Sequence, residues 1–240
     1  MTLPVFAAGS LRKALPSMAE AMGLSLDVRF GPAGLLRGLI EDGARPGLFL
    51  SASMAHARAV ALFDDYGEAV PLLENRLCLF GREEILDDGD ALRAMLDPDS
   101  RLGTSTPGAD PGGDYAFAVF DRAETLHPGS RDMLRDRAHA MVGGDLPDDI
   151  PPSGSPVAAL FQTGKVDLFL GYRTTAVDVT ARCPGLALLE LPPELAVRPR
   201  YGGVARNTDQ ARAALDGLRS PEALKAAMAC GFHPPREALA

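Results

Sequence analysis

The stretch Val5-Phe-Ala-Ala-Gly-Ser-Leu-Arg-Lys-Ala-Leu15, "VFAAGSLRKAL", decides how the rest of the chain is read. Small apolar residues run to Ala8, then Gly9-Ser10 opens a helix-like pattern. A short buried strand feeding a helix through a Gly-Ser junction is the first unit of an alternating architecture. Leu3 to Ala8 reads as the strand. Leu11 to Met22 reads as the helix, closed by Gly23 and bent by Pro16, which lacks a backbone donor. Ser10 stands where an N-cap belongs.

The alternation continues. Leu24 to Phe30 is strand-like, Gly31-Pro32-Ala33-Gly34 a turn and Leu35 to Glu41 a helix stopped by Gly43. Leu48 to Ser51 is a buried strand and Met54 to Phe63 a helix. Asn75 to Gly81 is a strand that begins something new. Beyond it come the acidic loop Asp87-Asp-Gly-Asp90, a helix near Asp90 to Leu96, a strand at Arg101 to Ser105 and helices at Tyr115 to Leu126 and Arg131 to Val142. A long Gly/Pro loop leads to a helix at Val157 to Gln162. Strands follow at Val166 to Tyr172, Leu186 to Leu191 and Tyr201 to Ala205, then helices at Asp209 to Leu218 and Pro221 to Cys230. Strands and helices so spaced predict an α/β fold with a largely parallel sheet.

Composition removes several classes. The 240 residues, 46% hydrophobic, suffice for one large domain or two small lobes. A net charge of -8 and a pI near 5.0 are the opposite of a nucleic-acid binder's balance, so none is expected as partner. An anion site on such a chain has to be made locally, without long-range steering. Cys78, Cys183 and Cys230 form an odd, scattered set, read as unpaired and structural, with one disulfide left open. Neither the cysteines nor His56, His127, His139 and His233 show metal-site spacing, and no cofactor is expected. No apolar run reaches the roughly 18 residues of a membrane span. No leader precedes the first strand, so the chain is cytosolic as made or has lost an export signal.

Four junctions share one chemistry: Ser10, Gly31 to Gly34, "DPGGD" (Asp110 to Asp114) and "PSGSP" (Pro152 to Pro156). Each offers backbone N–H groups at a helix start, with small residues that let a ligand approach. Such a terminus suits an anion without Lys or Arg. Capping alone would also explain Gly, Ser and Pro at each place. Strand ends on one side of such a sheet do converge on a crevice. Arg12, Lys13 and Arg37 lie one turn further on and read as solvent-facing. No phosphate-loop or dinucleotide motif is present, and Ser10 lacks a G-x-S-x-G context. The acidic loop lacks the alternate spacing of a calcium loop.

"VFAAGSLRKAL", "RFGPAGLLRGLIEDGARPGLFLSAS" (Arg29 to Ser53) and "GYRTTA" (Gly171 to Ala176) resemble the periplasmic molybdate-binding proteins of ABC transporters and their tungstate-binding relatives. Those proteins carry V-F-A-A-x-S-L near the start and I-E-x-G-A-x-A-D-x-F-I-S-A after the second turn. The resemblance implies a two-lobed class II periplasmic-binding-protein fold with the ligand cleft between the lobes. "NRLCLFGR" and "RYGGVARNT" fit its two crossovers, giving residues 1–74 with 202–240 as lobe I and 75–201 as lobe II. It implies a monomer that binds molybdate or tungstate and has no catalytic step. It further implies an ABC transporter permease as partner and the periplasm as location.

Residue by residue, it implies that Ser10 donates through hydroxyl and backbone, Tyr172 through its phenol, and Gly112 and either Gly154 or Ser155 through backbone N–H groups. The family's second serine is here Ala33, which leaves its own N–H and that of Gly34. The family's Asp is here Gly47. Two further readings stay open: a cytosolic oxyanion sensor on the same fold, and a binding protein for another anion such as sulfate. An enzyme lacks a nucleophile–base pair here.

Overall fold

The computed structural model describes residues 2–145 and 155–236. The chain divides into two compact units, Met1–Asn75 with Pro199–Ala240 (unit 1) and Arg76–Arg198 (unit 2). The first segment of unit 1 carries β1 (Leu3–Ala8), α1 (Ala14–Ala21), β2 (Leu26–Gly31), α2 (Ala33–Glu41), β3 (Leu48–Ser51), α3 (Met54–Val60) and β4 (Val70–Glu74). Unit 2 carries β5 (Leu77–Arg82), α4 (Glu83–Leu86), α5 (Ala91–Leu96), β6 (Leu102–Ser105), α6 (Pro111–Leu126), α7 (Ser130–Arg137) and β7 (His139–Val142). It continues with α8 (Pro156–Gln162), β8 (Leu168–Tyr172), α9 (Arg173–Arg182) and β9 (Leu186–Glu190). The chain returns to unit 1 with β10 (Arg200–Ala205), α10 (Asp209–Leu218) and α11 (Pro221–Ala229).

The two sheets have the same layout. In unit 1 the order is β2-β1-β3-β10-β4, and in unit 2 it is β7-β6-β8-β5-β9. The first three strands of each are parallel, and the fourth, β10 or β5, runs against both neighbours. Parallel strands covered on both faces read as unbroken apolar runs. That is the pattern of β3, "LFLS", and β8, "LFLGY", buried throughout. In unit 2, the Phe80 and Phe169 rings meet at a tilt within the core, their centroids 5.5 Å apart. At Gly47 a Cβ would stand 2.4 Å from Leu3 Cδ1. The Leu3 side chain thus fills the space that a larger residue there would need.

Several local expectations change. The helix after β1 is not continuous: a single 3₁₀ turn, Gly9–Leu11, precedes α1. Pro16 therefore falls in the first turn of α1, where a backbone N–H has no intrahelical acceptor, so no helical hydrogen bond is lost. Ser10 lies inside the 3₁₀ turn and caps nothing; α1 opens behind Lys13 with no side-chain cap. The helix expected over Arg131 to Val142 ends at Arg137, and the last residues form β7 beside β6. Beyond these, β4 and α9 are additional elements. All three cysteines are free, Cys78 and Cys183 buried.

Candidate functional site

In unit 1 the register sets the geometry. Ala8 pairs with Gly31, so β1 and β2 end side by side and their following turns start together. Ser10 is half-buried in the first of these turns, and its Oγ lies 2.7 Å from Tyr201 Oη. Tyr201 comes from β10, is fully buried, and also receives a bond from Asn75 Nδ2 at 3.4 Å. The second turn opens α2 behind Pro32, whose extended backbone and missing hydroxyl leave no side-chain cap. The first helical bond runs from Leu36 N–H to Pro32 O, 2.9 Å. The amides of Ala33 and Gly34 lie in the turn before it, where an α-helix supplies no acceptor. Ala33 is buried and Gly34 half-buried. The third junction, after β3, is closed on itself: Ser51 Oγ accepts from Ser53 N–H at 3.0 Å, and Ser53 Oγ caps α3 through Ala55 N–H.

Of the flanking cations, Lys13 is exposed as expected and Arg12 departs from expectation. Arg12 is not simply solvent-facing: its guanidinium lies over the Phe30 ring, 5.0 Å from the centroid, and burial lowers its pKa. Arg37 pairs with Glu41 at 3.1 Å along α2.

In unit 2, β6 and β8 are parallel neighbours, so Ser105 and Tyr172 lie at the same end of the strands. Tyr172, buried, meets Tyr115 of α6 edge to face with ring centroids 6.5 Å apart. The start of α6 therefore lies against the end of β8. Its amides are already engaged: Asp110 Oδ1 accepts from Gly112 N–H at 2.8 Å. Gly112 was expected to offer that N–H to a ligand; Asp110, two residues earlier, takes it. Burial pushes the Asp110 carboxyl up to about 6, and Asp114 adds to the rise. The Gly112 N–H and the Ser105 hydroxyl oppose it. Opposite stands Gly143, at φ +82°, where a Cβ would come within 2.6 Å of Asp110 Cβ. Ser155 caps α8, its Oγ accepting from Ala158 N–H at 3.3 Å. Gly154 lies outside the described residues.

The structure thus brings Ser10, Ala33 and Gly34 together in unit 1 through the β1–β2 register, and Gly112 and Tyr172 together in unit 2. Sequence reading missed Tyr201, Asn75 and the capping role of Asp110. Asp110 had a signal, since Asp-Pro at a helix start is a capping pattern. Tyr201 had none, being 191 residues from Ser10. Among the described residues no group of three or more His, Cys, Asp or Glu is placed to hold a metal ion. No helix among them is long and apolar enough to cross a membrane.

Two α/β units, each built on a five-stranded sheet with the same layout of parallel and antiparallel neighbours, with the chain passing from the first to the second and back, define the periplasmic-binding-protein fold. The chain belongs to the bacterial extracellular solute-binding protein family, which it matches over residues 3–233. A relative from Pasteurella multocida (strain Pm70), the uncharacterized protein PM1146, is 34% identical over 236 residues, 96% of this chain and 98% of its own. Among solved structures, the periplasmic molybdate-binding protein of Azotobacter vinelandii superposes with a TM-score of 0.74 at 17% identity, covering 98% of this chain and 100% of that one. The sulfate-binding protein SubI from Mycobacterium tuberculosis H37Rv gives 0.74 at 15% identity, covering 98% and 88%.

Proposed function

We propose that this protein captures a small oxyanion in the periplasm and delivers it to an ABC transporter permease, acting as a monomer without cofactor or catalytic step. The observation that carries the reading is the pair of helix starts in unit 1. Ser10 and the Ala33–Gly34 turn open side by side, and no side chain caps either turn. Amides in that position are orphan donors at the positive end of a helix, a cradle for an acceptor-rich anion. Neutral donors hold such an ion without a fixed counter-charge, so it is released readily. The family is one of solute-binding proteins, and the molybdate- and sulfate-binding structures of the same fold support an oxyanion as cargo.

Molybdate or tungstate is the first candidate, on the motifs "VFAAGSL" and "GYRTTA". In this reading Ser10 and Tyr172 donate through their hydroxyls, Ala33 and Gly34 through the backbone, and the resemblance adds a backbone N–H from either Gly154 or Ser155. Two observations favour a second candidate, sulfate or another oxyanion: Ala33 stands where a serine hydroxyl would serve molybdate, and Asp110 already occupies the amide of Gly112. Isothermal titration with molybdate, tungstate, sulfate and phosphate ranks these. Binding of none of the four, with a folded protein by circular dichroism, would rule out the oxyanion reading.

A further inference from the structure

Behind Ser10 stand a phenol and, beyond it, an amide donor. Ser10 Oγ and Tyr201 Oη lie 2.7 Å apart, and either is able to donate to the other. Asn75 Nδ2 approaches the same Tyr201 oxygen at 3.4 Å, and an amide nitrogen only donates. A phenol oxygen, its lone pairs shared with the ring, takes one good donor. With Asn75 in that place, the proton of Tyr201 is left for Ser10 Oγ. Ser10 then accepts from within the protein, and its own proton turns outward.

We propose that Asn75, Tyr201 and Ser10 form a directed hydrogen-bond chain that commits Ser10 to donate toward the bound anion, with Tyr201 as its positioning residue. This rests on the reading above that Ser10 contacts the anion. It also names the ligand class more closely: an oxyanion that presents an unprotonated oxygen to Ser10. A ligand oxygen carrying hydrogen would have to turn its proton elsewhere.

The fold holds the chain in place. Tyr201 is fully buried, its ring packed edge-on against Phe232 at 5.4 Å between centroids and its backbone paired with Leu73 of β4. Asn75 is buried as well, and its N–H donates to Pro199 O at 3.0 Å. Both side chains are closed off from solvent. Without the phenol oxygen the Ser10 hydroxyl would be free to rotate and to spend its proton on other acceptors.

Tyr201→Phe removes the oxygen and keeps the ring, so packing survives. Molybdate and sulfate are titrated into the wild type, Ser10→Ala, Tyr201→Phe and the double variant. Tyr201→Phe is expected to weaken binding about three- to tenfold when Ser10 is present, and less than about twofold when it is Ala. Equal losses in both backgrounds would reduce Tyr201 to a packing residue and overturn the chain. A neutron structure of the ligand-free protein reads the polarity directly. Deuterium on Tyr201 Oη aimed at Ser10 Oγ supports the chain, and deuterium on Ser10 aimed at Tyr201 overturns it. If neither anion binds, or Ser10→Ala is silent, the anion reading falls, and the neutron result alone decides the chain.

Discussion

In unit 1, α2 opens behind Pro32 with no side chain on its first amides. In unit 2, α6 and α8 open behind Asp110 and Ser155, whose side chains take the amides of Gly112 and Ala158. The four Gly- and Ser-rich junctions look alike as sequence, yet some display their donors and others consume them. "GPAG" offers amides because its cap position is a proline. "DPGG" brings its own anion. Glycine at a helix start is therefore a sign of an open amide only where the residue before it lacks a capping oxygen.

The largest expected effect comes from removing that resident anion while keeping the cap. The Asp110 carboxyl is raised to about 6 from an ordinary 3.8. Between those values the folded state holds a proton that the unfolded chain has released, so stability falls as pH rises from about 4 to about 6. At 1.36 kcal/mol per pH unit the ionised group costs up to about 3 kcal/mol at neutral pH. Asp110→Asn, an equally good cap, is expected to recover most of this at pH 7.5 and little at pH 4, as read by denaturant unfolding. The same gain at both values would mean that charge is not what distinguishes this cap.

Next, Ser10→Ala is expected to weaken oxyanion binding by roughly ten- to a hundredfold, the worth of one charge-assisted bond of about 1.5 to 3 kcal/mol. Tyr172→Phe is expected to act similarly. Ser155→Ala, on a consumed junction, should instead cost about 1 kcal/mol of stability and leave affinity within about twofold. Titration and melting of the same proteins decide the matter; a reversal of the two patterns would undo the contrast.

Unit 2 also holds a carboxylate of the opposite kind. The Asp167 carboxyl is lowered to about 2, chiefly by the side chain of Arg101 at 2.7 Å, with Arg82 at 2.9 Å adding to it. A lowered carboxyl stabilises the fold above its unfolded value near 4 and loses that contribution as pH falls through about 2. The Arg82 and Arg101 side chains are 44% and 48% exposed, which screens the pair to about 1 kcal/mol. Asp167→Asn should lower stability by that amount at pH 7 and by almost nothing at pH 2. The smallest effect belongs to Ala33→Ser, which returns a hydroxyl to the open junction. Binding two- to fivefold tighter is expected from calorimetry, about 0.5 to 1 kcal/mol. A loss would show that the buried Ala33 methyl leaves no room.

Most of the alternation was legible because β1, β3 and β8 are short apolar runs bounded by turn residues, and burial on both faces writes that pattern directly. The elements missed are those that context holds. Helix α9, "RTTAVDVTAR", is rich in β-branched residues of modest helix propensity; buried Ala176 and Val179 keep it in place. β4 carries Pro71, which argues against a strand, but it lies at the edge of its sheet, where a missing donor is tolerated. β7 was read as helix because Met141 and Val142 continue the spacing of α7. At the site, Ser10 and the Ala33–Gly34 turn were visible as a junction chemistry. Tyr201 was not, because only the placement of β10 brings its phenol to Ser10.

The position of β10 also bears on how the chain folds during synthesis. β10 lies between β3 and β4 in the sheet, and its ladder is what ties β4 to the rest. Every residue of unit 2 emerges from the ribosome before β10 does, so β4 waits without its strand partner while unit 2, an unbroken segment, is already complete. Domains fold as units as they emerge. Pulse-labelled hydrogen exchange on released chains truncated after Arg198 should find the amides of β5, β6 and β8 protected and those of β4 open. The half of the molecule made first is the half finished last.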